Sequence, residues 1–94
     1  MHTEMDMAPY EDQFTLLERY FYERNAAMNI VVYVANRQFT DEQYQRIFNH
    51  YNEANTTFEK YKKEFENTVL IPNIDGVFNW EADFERRVVY VSQL

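Results

Sequence analysis

Residues 40–67 read TDEQYQRIFNHYNEANTTFEKYKKEFEN, and the reading of this stretch decides the fold class. Thr40 offers the hydroxyl of a good helix N-cap. Gln43 stands three residues later to complete a capping box, and Phe39 can staple onto Tyr44. Tyr44, Tyr51, Phe58 and Phe65 then recur every seven residues, with Ile47, Ala54 and Tyr61 three positions after the first three and Phe48 widening the stripe. That spacing lays one apolar face along a helix. Glu42–Arg46 and Glu59–Lys63 stand in the favourable i,i+4 order for surface ion pairs. Asn55-Thr56-Thr57 is the weak point, because these residues are poor helix interiors and Thr56 with Glu59 offers a second capping box. The apolar phase runs straight through them, so one long helix is expected.

Working back toward the N-terminus, Pro9 suits the first turn of a helix, where its missing N–H costs nothing. Tyr10, Phe14, Leu17, Phe21 and Met28 follow at steps of three, four or seven, which predicts an amphipathic helix ending near Asn25–Met28. Glu11 and Asp12 fall in its first turn, where carboxylates complement the helix dipole. Asn29–Asn36 reads NIVVYVAN, a β-branched and aromatic run that predicts a strand apolar on both faces. With two helices available, cover for its second face would fall to another chain. Met1–Ala8 is expected to be a mobile acidic tip.

Toward the C-terminus, Thr68–Ile71 reads as a strand closed by Pro72 and the turn Asn73-Ile74-Asp75-Gly76. Val77–Glu81 is expected as a short strand, Ala82-Asp83 as a turn, and Phe84–Gln93 as a longer strand ending in VVYVSQ. The expected order is α-β-α-β-β-β. This is an α+β domain over residues 1–94, with two helices on one face of a small, mainly antiparallel sheet and a long second helix.

Composition bounds the function. Eight Tyr, eight Phe and one Trp supply ample apolar area for a core, and one Gly with two Pro argues against a linker or a disordered chain. With no Cys, disulfides and thiolate metal sites are excluded. Sixteen acids against nine Lys and Arg give a net charge of −7, which opposes direct contact with nucleic acid or anionic membrane. The one basic cluster, Lys60, Lys62 and Lys63, is surrounded by Glu59, Glu64 and Glu66 and reads as a self-paired helix face. No apolar run approaches the roughly 20 residues of a membrane span, and the first six residues are acidic where a signal peptide is basic. A cytosolic protein is expected.

The inventory for catalysis is short. Ser92 is the single serine and lacks a G-x-S-x-G setting, His2 and His50 are the histidines, and one Gly cannot build a phosphate cradle. His50 and Glu53 are three apart on the long helix, yet no second matching pair completes a metal set. Paired carboxylates at Glu11/Asp12 and Asp41/Glu42 sit where helix starts attract them, rather than where burial would tune them for acid–base work. No catalytic, cofactor-binding or metal residue is therefore assigned, and no enzyme activity is expected.

Two surfaces remain. The acids Glu4, Asp6, Glu11 and Asp12, together with Glu81, Asp83 and Glu85 beside Trp80, can meet a basic partner. The long helix, about 42 Å for 28 residues at 1.5 Å each, overhangs an eight-residue strand of about 26 Å, so Phe58, Tyr61 and Phe65 would need cover, in part from the first helix and otherwise from a second copy or a foreign partner, and are the expected self-association set. The expected function is a small acidic protein-binding regulator or inhibitor. Its most concrete form is phage- or mobile-element-encoded and blocks a basic nucleic-acid-binding surface of a host or defence protein. The alternatives are an assembly subunit that dimerises through the long helix and, last, a small enzyme or ligand carrier.

Overall fold

The computed structural model describes residues 2–35 and 37–94. Met1, at the start of the expected tip, and Asn36, at the end of the expected strand, lie outside the described residues. The elements are β1 (His2–Asp6), α1 (Glu11–Val34), α2 (Asp41–Phe65), β2 (Phe78–Asp83) and β3 (Val88–Gln93). The three strands form one antiparallel sheet in the order β1-β3-β2, and both helices pack on the same face of it. The α+β class, the helix pair and the long second helix are as the sequence leads one to expect. The element order is not, and four local readings are corrected.

The capping box that opens α2 is formed in full. The Thr40 hydroxyl accepts the Gln43 N–H at 3.2 Å, and the Gln43 side-chain oxygen accepts the Thr40 N–H at 2.9 Å. Phe39 meets Tyr44 edge-on at 5.8 Å between ring centroids. The helix runs unbroken through Asn55-Thr56-Thr57, because its apolar stripe packs along α1 and outweighs three poor propensities.

The expected strand Asn29–Asn36 is instead the last turns of α1, which ends at Val34. Ala27 and Val34 are buried and Val31 is half-buried, a helical spacing of four and three that faces α2. Extending a helix already nucleated over residues 11–28 is cheap, and packing on α2 overrides the β preference of the valines. The Tyr44 hydroxyl fastens the end by donating to the carbonyls of Val34, at 3.2 Å, and Arg37.

The expected strand Thr68–Ile71 also belongs to the helix. After α2 the chain widens into a π-helical turn over Glu66–Leu70 and tightens into a 3₁₀ turn over Ile71–Asn73. Adjacent Val69 and Leu70 are both fully buried, which successive residues of a strand with one open face cannot achieve. Pro72 ends the helix by removing a donor, and the Asn73 amide donates to the Val69 carbonyl at 2.6 Å.

The N-terminal tip is an edge strand. Thr3 and Met5 stand opposite Val91 and Val89 in register on the inner face, and Met7 behind them is fully buried. The fourth correction moves the last turn by two residues. Asp83 still belongs to β2, and Phe84–Arg87 makes the turn, with the Asp83 carboxylate accepting the Arg86 N–H at 3.0 Å. The Asp75-Gly76 turn holds, with Gly76 at a φ of 78°.

The core lies between helices and sheet. Phe14 sits at its centre, 4.9 Å from Phe84 and 5.9 Å from Phe65 between centroids, with Leu17, Val89 and Val91 around it. Each such side chain, once buried, contributes about 1.5–3 kcal/mol.

Candidate functional site: the outer face of the sheet

Alternation along each strand sends one set of side chains to the helices and the other to the open face. Val89 and Val91 point inward from β3, so Val88, Tyr90 and Ser92 point outward. The register extends this row by row. Glu4, Tyr90 and Glu81 stand side by side across the three strands, and Asp6, Val88 and Asp83 form the next row. With strands about 4.8 Å apart and alternate residues about 6.8 Å apart, four carboxylates frame Tyr90 and Val88 within roughly 10 by 7 Å.

One cation reaches into this frame. Arg86 Nη1 lies 3.4 Å from Glu4 Oε1 and donates to the Tyr90 hydroxyl, which itself donates to Asp83 Oδ2 at 3.3 Å. Its guanidinium is held above its ordinary basicity by Tyr90 first and Glu4 second. Glu4, Asp6 and Glu81 are exposed and Asp83 is half-buried around a half-buried tyrosine ring, so the face presents negative charge with an aromatic centre.

The seven acids expected to bind a partner therefore divide. Glu4, Asp6, Glu81 and Asp83 come together on the outer face, and Glu85 follows in the turn two residues after Asp83. Asp6 is partly engaged, its Oδ1 accepting the Ala8 N–H at 3.0 Å. Glu11 and Asp12 lie elsewhere, on the first turn of α1. Glu11 is bound to Arg87, which also reaches Glu18 at 3.0 Å and Thr15 at 2.7 Å and lays its guanidinium 4.8 Å above the Phe14 ring. Trp80 is not the aromatic of this surface. It points inward, packs on Phe65 at 5.6 Å and donates from Nε1 to Glu66 at 2.6 Å. Tyr90 takes that place, and the V-V-Y-V-S alternation was the signal that could have found it.

The residues of the expected self-association set are largely covered within the single chain. Phe58 and Phe65 are 6% and 3% exposed and belong to the chain's own core. Tyr61 is half-buried and stacks on Tyr20 at 4.4 Å, and the Tyr20 phenol is pushed up by its hydrogen bond with Tyr61 and by burial. Beside it, a cleft of about 340 Å³ opens between Leu16, Leu17, Tyr61 and Phe65. Ser92 lies on the outer sheet face, and His50 with Glu53 is exposed on α2. Among the described residues, no three His, Cys, Asp or Glu side chains gather as a metal set, and no helix is long and apolar enough to cross a membrane.

Comparison with protein-family models, with curated proteins and with solved structures gives no match to this chain.

Proposed function

We propose that this chain is a non-catalytic protein-binding regulator or inhibitor that meets a basic partner with the outer face of its sheet. The observation that carries this reading is the frame of Glu4, Asp6, Glu81 and Asp83 around Tyr90 and Val88, on a sheet face left open to solvent. A flat face with clustered carboxylates steers a positively charged surface toward it, and a tyrosine at the centre supplies contact area at low entropic cost. Basic surfaces of this kind are those that hold nucleic-acid phosphates. The concrete form of the reading is therefore a blocker of such a surface on a host or defence protein, carried by a phage or mobile element.

The experiment is a paired capture from native lysate. The wild-type chain is one bait, and a variant with Glu4, Asp6, Glu81 and Asp83 changed to Lys is the other. A nucleic-acid-binding protein retained by the first and lost from the second supports the reading. A partner retained equally by both baits removes it.

A further inference from the structure

Toward the turn between the helices, the hairpin runs past the end of the sheet. Arg24 and Phe58 still line a cavity together with Ala82 and Phe84. Beyond them α1 continues to Val34, and α2 returns from Asp41, about 16 Å and 27 Å of helix at 1.5 Å per residue. The molecule is accordingly elongated, 50 × 26 × 22 Å. In this arm Ala27 and Val34 are buried between the two helices but stand apart from the main core.

The arm is apolar on the outside as well. Met28, Ile30, Val32, Tyr33 and Phe48 are between 38% and 58% exposed. Met28 and Val32 continue the row Leu17, Phe21, Arg24 at steps of four, and Phe48 follows Phe58 and Tyr51 at helical spacing. These are the rows that lie under the sheet near the base of the hairpin. The face that the sheet covers at one end therefore runs on, uncovered, at the other.

We propose that a second copy of this chain covers it, the two arms pairing about a twofold axis into a four-helix bundle. Charge selects this occupant. Residues 23–55 hold four acids and three arginines, so the arm is within one charge of neutral while the whole chain is at −7. Two arms meet without net repulsion, whereas a strongly basic partner is drawn to the other end of the molecule. Area agrees. Helices about 10 Å wide over about 16 Å and 27 Å present roughly 430 Å² in projection, and a corrugated face exceeds its projection, which brings it toward the ~800 Å² per partner of a standard interface. A twofold contact is self-complementary, so the partner's arm fills the layer that the sheet occupies at the base. The proposal is independent of the acidic-face reading, because the two surfaces share no residue.

Light scattering coupled to size exclusion tests it. At high micromolar concentration the wild-type mass is expected at twice 11.5 kDa. Val32→Glu with Phe48→Glu is expected to halve that mass while the circular dichroism stays helical, since both positions are exposed in the single chain. Met28→Lys alone gives the same reading should the double variant fold poorly. Ile30→Glu with Tyr33→Glu, and Lys at the four sheet acids, are expected to leave the dimer intact. A wild-type monomer, a dimer that survives the Val32/Phe48 change, or one lost only with Ile30 and Tyr33 overturns the proposal.

Discussion

Arg86 and Arg87 are neighbours in the turn between β2 and β3 with different duties, because the left-handed backbone at Arg87 swings its side chain away from that of Arg86. Arg87, at a φ of 57°, turns toward α1 and ties the start of β3 to Glu11, Glu18 and the Phe14 ring, with its side chain 28% exposed. Arg87→Ala is expected to cost about 1–2 kcal/mol, less than the contacts suggest because the pairs are partly solvated. Arg86 turns outward over Tyr90, with its side chain 61% exposed. Arg86→Ala should leave the urea denaturation midpoint essentially where it is in the wild type. It should also speed association with a basic partner, since it removes the cation inside the acidic frame. Equal effects of the two substitutions on stability would contradict this division.

Elements show how far the sequence could be read. The capping box at Thr40 and Gln43 and the seven-residue repeat of α2 were legible because they are local, and the Asp75-Gly76 turn was legible for the same reason. What was not legible depended on tertiary partners. NIVVYVAN has the composition of a strand, and the packing of Ala27, Val31 and Val34 on α2 makes it helix. Val69 and Leu70 look like strand until both are seen to be buried. The N-terminal segment reads as a tip because it is short, acidic and precedes the helix-starting Pro9, although Thr3, Met5 and Met7 alternate with Glu4 and Asp6 in strand phase. Four of the seven candidate acids were brought to one face, and no local pattern could show that β1 lies beside β3. Met7 tests this directly. As a fully buried residue behind β1, its change to Ala should cost about 2–5 kcal/mol in chemical denaturation. In a mobile tip the same change would cost nothing.

At the scale of the whole molecule, charge and apolar surface are separated. Four acids gather on the outer face of the sheet, and Met28, Ile30, Val32, Tyr33 and Phe48 are exposed on the arm, so one chain can present a basic partner with one end and its own copy with the other. The central claim is that the sheet end binds by charge, and charge is screened by salt. The Debye length falls from about 10 Å at 0.1 M ionic strength to about 3 Å at 1 M, so steering by Glu4, Asp6, Glu81 and Asp83 should fade over that range. The most direct measurement is the association rate constant with the captured partner at those two ionic strengths, for the wild type and for the variant carrying Lys at the four acids. The wild-type rate is expected to fall by about tenfold or more as salt rises, while the dissociation rate changes little, and the variant is expected to show no measurable association. An association rate indifferent to salt, and kept when the four acids are reversed, would contradict the central claim.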